Sequence, residues 1–586
     1  MTGVFGCWQL DGARVHGAAA AQCVFEGRLD NRRELLRALA DHPGVSPECP
    51  DQALVLAAYC RFGEAFPERL SGEFAAGICD HRLNRLVLAR DRLGVRPLCY
   101  ARVRETVIFA SSARALLAYP GLQAVPDDVT LADFILYFRS SDTLSRTFFR
   151  DVHSLPPAHI LMATPAGVTI RRYFDFDTRR SIRLPAFRDY AAAFHDVFVE
   201  SVRRRVRSPR PVAVAVSGGL DSSYIFCVAG RLLKEDPGLC PGILGYNFSG
   251  DAGGSSDERA FVQALEDESG ARIERIGQRS GFMDCAEDDV RAVESPMVDG
   301  LARQSRAGME AMRRAEVGRL LTGHWGDQLL SDSHYLLDLV RSRQWRLLRQ
   351  HAGGWDVDAW RLAGRVVRGL AARHLPAPLT AAARRARGRA EAPWRMPWFT
   401  ARFRRLLRER AGHQPLPSID GRHHAAAIYR ESRLPYHVQC LEWNARVAGA
   451  HGLEISFPFL DCDLIQFLMS IPGEMQSHDG VPRALMREAM RAIVPEAIVS
   501  RRDKGEFTHL ANEGVARDFP VIRDLLGEHA LSVQLGYLDG PILASHLDRW
   551  RSGLASARNA VLANRIVDLC GFELFLRVAG AGQMRR

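Results

Sequence analysis

Short unbroken apolar runs alternate along this chain with longer stretches whose apolar residues recur at helical spacing. The run Pro211-Val212-Ala213-Val214-Ala215-Val216 is brief and β-branched, as a parallel strand buried on both faces requires. A glycine turn follows it, and Tyr224 to Leu233 reads as a helix. The buried-strand pattern returns at Leu320-Leu321-Thr322 and at Glu454-Ile455-Ser456, each time running into a turn that reaches a carboxylate, Asp327 and Asp461. Strands of this kind separated by helices predict an α/β fold on a doubly wound parallel sheet, with ligands gathered at the carboxyl ends of the strands.

Charge changes this picture in one place. The formal net charge is +10, yet 18 arginines, no lysine and four acids stand between Arg341 and Arg410, which leaves the rest of the chain slightly acidic. Trp345, Trp355, Trp360, Trp394 and Trp398 share that stretch, broken at Pro376 and Pro378. An Arg/Trp-rich helical insertion can grip an acidic peptide or a partner protein, or it can be a solvated face with no partner. No nucleic-acid-binding motif accompanies it. With 586 residues, 47% hydrophobic and 25% charged, two or three domains with real cores are expected. No run reaches 18 uninterrupted apolar residues, and Asp11 and Arg14 interrupt any apolar leader, so the expectation is a cytoplasmic protein without membrane contact. Twelve cysteines from Cys7 to Cys570 include no Cys-x-x-Cys pair, so neither a zinc ribbon nor a disulfide framework is predicted. Cys7 reads as a core position in a first strand. His437 and Cys440, with His423 and His424 nearby, are read as structural rather than as metal ligands.

The turn after the first buried strand carries the chemistry. In Val216-Ser217-Gly218-Gly219-Leu220-Asp221-Ser222-Ser223, the two glycines allow close approach to an anion, while the helix N-terminus and three hydroxyls supply donors. Asp221 would repel phosphate unless it held a magnesium ion that bridges the phosphates. The string differs from the Gly-x-x-x-x-Gly-Lys-Ser/Thr loop of kinases and GTPases. It resembles the loop of the ATP pyrophosphatases, which split ATP between its α and β phosphates to adenylate a substrate.

Further segments extend the resemblance to the asparagine synthetase superfamily. Thr322-Gly323-His324-Trp325-Gly326-Asp327 and Phe457-Pro458-Phe459-Leu460-Asp461 match two of its motifs, and Leu485-Met486-Arg487-Glu488-Ala489 with Ser500 to Phe507 matches its closing helix and lysine loop. Phe25 to Leu35, Leu70 to Ala75 and Leu88 to Tyr100 look like its glutamine amidohydrolase half, a pair of stacked sheets flanked by helices. The resemblance implies an N-terminal Ntn-hydrolase-like αββα domain over 1–180, a nucleotide-binding core over 190–340, the arginine-rich insertion over 341–425 and the rest of the synthetase domain over 426–586. It implies ATP and Mg2+ as cofactors, Asp221 and Asp327 as metal ligands, and Ser249 and Gly323 beside the nucleotide. Lys504 would neutralise the acyl-adenylate and pyrophosphate.

The N-terminal half departs from that pattern. The family's nucleophile is a cysteine exposed by methionine removal, and position 2 here is Thr2. Its Asn-Gly-Glu, which grips glutamine, stands as Glu26-Gly27-Arg28, so glutaminase activity is expected to be absent. Two branches of the superfamily draw their amine from the substrate itself, the β-lactam synthetases and the lasso peptide cyclases. His324 occupies the place of a tyrosine in the former, and Glu442 the place of its glutamate partner. A His324–Glu442 pair would take the proton of the attacking amine, Glu442 orienting the imidazole. The resemblance thus points to a macrolactam synthetase acting on a precursor core peptide, with a leader peptidase and a leader-binding protein as pathway partners. A small-molecule amide synthetase, or a non-catalytic ATP-binding scaffold, are the alternatives.

Overall fold

The computed structural model describes residues 5–9, 21–138, 140–248, 257–331, 333–352, 393–412, 421–502, 505, 508–554 and 561–580. The first part holds strands β1 (Phe5–Gln9), β2 (Ala21–Leu29), β3 (Gly72–Asp80), β4 (Arg85–Arg90), β5 (Cys99–Val103), β6 (Thr106–Ala110), β7 (His153–Ser154), β8 (His159–Thr164) and β9 (Gly167–Arg172). They make two antiparallel sheets, ordered β1-β6-β5-β7 and β2-β3-β4-β8-β9. Side chains alternate along β3. Ala75 joins Trp8, Leu88, Val107 and Phe109 between the sheets, whereas Phe74, Ala76 and Ile78 pack against the helix Asp51–Phe62. This is the expected αββα stack. Cys7 corrects one expectation: it lies on β1 but is exposed, because among the described residues β1 pairs only with β6 and buries Trp8 on the opposite face of the pleat.

The second part is a five-stranded parallel sheet of β10 (Val212–Ala215), β11 (Ile243–Asn247), β12 (Ile273–Arg275), β13 (Arg319–Leu321) and β14 (Glu454–Ser456), in the order β12-β11-β10-β13-β14. The chain steps outward from β10 to β12 and then returns to the other side of β10 with β13. The order therefore reverses between β10 and β13, and a crevice opens there at the carboxyl ends of the strands. Helices Phe187–Val206 and Leu220–Glu235 share the sheet's core, with Phe198 stacked on Tyr224 at 4.4 Å between ring centroids.

Buried charges tie the two parts together. Arg28 on β2 donates to Asp30 at 2.6 Å and to Ser456 Oγ at 3.0 Å, and it pairs with Glu73 at 3.3 Å. Arg205 lies 3.7 Å from Glu73 and 3.1 Å from Asp461. Burial works to raise the Asp30 carboxyl, but Arg28 and then Arg205 overcome it and hold it below the usual range. Asp461 also caps the helix Cys462–Ser470 by accepting from the Asp463 and Leu464 amides, so its role here is structural.

The C-terminal described end of the arginine-rich stretch packs into a core, whereas residues 341–350 at its other end are mostly exposed. Trp398, Phe399, Phe403 and Leu407 are buried with Phe572 and Leu547, and Arg410 is locked to Asp133 at 2.6 Å and Asp142 at 2.8 Å. Trp345 is exposed, whereas Trp355 and Trp360 lie outside the described residues. No helix among the described residues is long and apolar enough to cross a membrane.

Candidate active site

The loop between β10 and the helix Leu220–Glu235 is built by its small residues. Val216 is buried and its ends are fastened, its amide donating to Tyr246 O at 2.7 Å and its carbonyl accepting from the Asn247 amide side chain at 2.7 Å. The Ser217 amide donates to Ser222 Oγ at 3.0 Å, and the Gly219 amide donates to Ser217 Oγ at 3.3 Å, so two serines pin the turn from within. Ser223 is fully buried one residue further along. Gly218 takes a left-handed φ of +67°, and a Cβ there would fall 2.7 Å from Phe261 Cβ. Its carbonyl accepts from Arg501 Nη1 at 3.1 Å. Arg501 also bonds Glu258 at 3.1 Å and lies over the Phe261 ring at 4.1 Å.

The turn after β13 faces this loop. Trp325 is buried in a left-handed conformation, φ +71°, uncommon for so large a residue, and it is held by the Phe457 and His437 rings at 5.2 and 5.5 Å. That turn carries Gly323 and Gly326 close against Asp221. A Cβ on Gly323 would lie 2.9 Å from Asp221 Cβ, and one on Gly326 only 2.3 Å from Asp221 Oδ1. Asp221 and Asp327, 106 positions apart by their numbering, thus meet across the switch point. A single side chain, Arg483, bonds both: Nη1 donates to Asp327 Oδ1 at 2.7 Å and Nη2 to Asp221 Oδ1. Burial, and then nearby Arg487, pull the Arg483 guanidinium down to about 9 from an ordinary 12.5, which still leaves it cationic at neutral pH beside the two carboxylates.

A hard dication fits this donor set. Two carboxylates converge beside a loop of backbone donors, and the glycine at 326 leaves open the space a side chain would fill. Magnesium keeps waters and takes phosphate oxygens, so it needs no larger protein cage. No group of three or more His, Cys, Asp or Glu that could hold a metal occurs among the described residues. His424 is buried with Nε2 on Leu468 O, and His437 Nδ1 is on Glu431 O, both structural.

His324 stands exposed at the mouth of the turn, Nδ1 paired with Thr322 Oγ1 at 2.7 Å. Glu442, on the helix Pro435–Ala450, is instead bound by the fully buried Arg90 at 2.6 Å and faces a cavity lined by Cys99, Arg146, Glu294 and Arg446. Glu442 is committed to Arg90, while Thr322 holds Nδ1 of the His324 imidazole. Ser249, Lys504 and Thr2 lie outside the described residues. Arg483, Gly326, Glu258 and Arg501 also line the site, although no sequence motif assigns them a function. Only Gly326 left a local signal, as the second small residue of a turn already singled out.

A model of the asparagine synthase domain matches residues 193–577, and one of a glutamine amidotransferase domain matches residues 15–174. The chain belongs to the asparagine synthase family. An asparagine synthetase of Bacillus subtilis, "Asparagine synthetase [glutamine-hydrolyzing] 3", is 23% identical over 82% of this chain and 74% of its own length. A second from the same organism, "Asparagine synthetase [glutamine-hydrolyzing] 1", is 22% identical over 82% and 75%. "Amidase chry2" of Gibberella zeae is 28% identical over 47% of this chain and 42% of its own length. For this asparagine synthase family member, membership supports ATP-dependent amide-bond formation.

Proposed function

We propose that the protein is an ATP-dependent macrolactam synthetase of the lasso peptide cyclase type. It would adenylate an Asp or Glu side chain of a core peptide and join it to the peptide's own N-terminal amine, releasing AMP and pyrophosphate. The observation that carries the choice of amine is Arg28. At the position where the resembled glutaminases grip glutamine with a glutamate, a buried arginine is committed to Asp30, Glu73 and Ser456. A pocket filled by that network is a poor source of ammonia, so the amine comes from the substrate.

The residues divide the work. The backbone and hydroxyls of Ser217 to Ser222 receive the phosphates, and Asp221 and Asp327 would hold magnesium, which when bound neutralises phosphate charge. In the tautomer whose Nδ1–H donates to Thr322, His324 Nε2 carries the lone pair that takes the proton of the attacking amine. Lys504 is assigned the charge that develops on the leaving groups, and Ser249 and Gly323 the nucleotide's flank. Holding the amine beside the activated carboxyl replaces an encounter in solution with one already oriented. The leader peptidase and the leader-binding protein would deliver the peptide, and the reaction would take place in the cytoplasm.

ATP–pyrophosphate exchange tests the first half-reaction. Exchange should appear only with a peptide carrying the acidic acceptor and should vanish in Asp327→Asn. Added glutamine should change neither exchange nor product. Glutamine-dependent product formation would refute the reading of Arg28.

A further inference from the structure

Two carboxylates turned toward each other in a half-buried crevice repel, and each has lost part of its hydration. The fold needs a counter-charge there whenever nucleotide is away, and it carries one of its own. Arg483 immediately precedes the helix Ala484–Met490, in a left-handed backbone conformation with φ +60°. From there its planar fork reaches both acids, one nitrogen to each, with Nη2 also 3.5 Å from Met486 Sδ. The side chain is only one-tenth exposed. A guanidinium is cationic at physiological pH and offers five donors and no acceptor, so its fork suits a pair of carboxylates.

The geometry sets up a competition. Arg483 bonds Asp221 Oδ1 and Asp327 Oδ1, and both oxygens belong to the carboxylates that would hold a dication. A divalent ion coordinates oxygen at short range and repels a neighbouring cation, so ion and guanidinium cannot share them. We infer that Arg483 is a resident counter-cation: it keeps the two carboxylates paired in the nucleotide-free enzyme and must be displaced before a metal ion can occupy them. The bare ion is thereby disfavoured. A metal–nucleotide complex brings phosphate charge for the released guanidinium to balance, and so enters where the ion alone does not. This rests on the reading of Asp221 and Asp327 as the dication site, which ATP–pyrophosphate exchange tests separately.

The test needs no peptide and no turnover. Full-length protein free of nucleotide is titrated with Mn2+, and free ion is followed by electron paramagnetic resonance. Arg483→Gln should bind Mn2+ at least about tenfold more tightly than wild type. Adding Asp327→Asn to that variant should abolish the gain. In EDTA the Arg483→Gln protein should melt below wild type, and Mn2+ should raise its Tm more than it raises that of wild type. Arg483→Lys keeps a charge but lacks the fork, and should give a smaller gain in affinity, which keeps the test open if the glutamine variant does not fold. Unchanged or weaker Mn2+ binding in either variant overturns the inference, as does a gain that survives Asp327→Asn.

Discussion

Asp568 shows how far one residue's surroundings can move its chemistry. It sits on the helix Val561–Gly580 and accepts from Tyr137 Oη at 3.2 Å. Burial pushes its carboxyl up to about 7 from an ordinary 3.8, and the Tyr137 bond only partly opposes this. Between those values the folded protein keeps a proton that the unfolded chain has released. Stability therefore falls as pH rises from about 4 to about 7, by at most about 4 kcal/mol, and is flat above. Asp568→Asn should remove that slope, leaving urea midpoints that no longer decline across this range. An unchanged slope would place the proton elsewhere. The same lesson holds at the active site, where what a residue does depends on what meets it. Asp221 was legible from its turn because the string around it is specific. Arg483 was not, because its partners lie 156 and 262 positions away and no window of sequence contains them.

At the scale of elements, most of the crevice could be read in advance. The apolar run over 211–216 appears as β10 over Val212–Ala215, and the helix expected from Tyr224 begins earlier, at Leu220, because Gly219 occupies its cap. Strand, loop and helix are short-range features, dictated by period and by glycine, which is why they were visible. The pairing of β10 with β13 was not, since a parallel register depends on crossovers of about a hundred residues. Gly218 joins the two levels. Its left-handed φ and its contact with Phe261 leave no room for a side chain, while Arg501 fixes its carbonyl. Gly218→Ala should cost about 1–2 kcal/mol of backbone strain. It should weaken binding of a fluorescent ATP analogue about tenfold or more, while the melting temperature falls by only a few degrees. Unaltered nucleotide affinity would show that the loop does not contact phosphate.

Across the whole molecule, the two parts are joined by buried charged contacts. The N-terminal part keeps its stacked sheets, but the residues around Arg28 now serve the interface, where removing one partner of a buried pair typically costs about 3–5 kcal/mol. Sequence reading saw the altered Glu26-Gly27-Arg28 and could not see where Arg28 went. The family resemblance pairs His324 with Glu442, whereas the fold gives Glu442 to Arg90 across the same interface. The crevice between β10 and β13 brings Asp221 and Asp327 together on Arg483. The account's central claim is that this crevice makes an amide within one peptide. It is tested most directly by intact mass spectrometry of the core peptide after incubation with enzyme, ATP and Mg2+, followed by fragmentation. The account predicts loss of one water, release of AMP and pyrophosphate, and a link between the N-terminal amine and an acidic side chain. A product that has gained an ammonia-derived amide, or ATP cleavage with the peptide left linear, would contradict it.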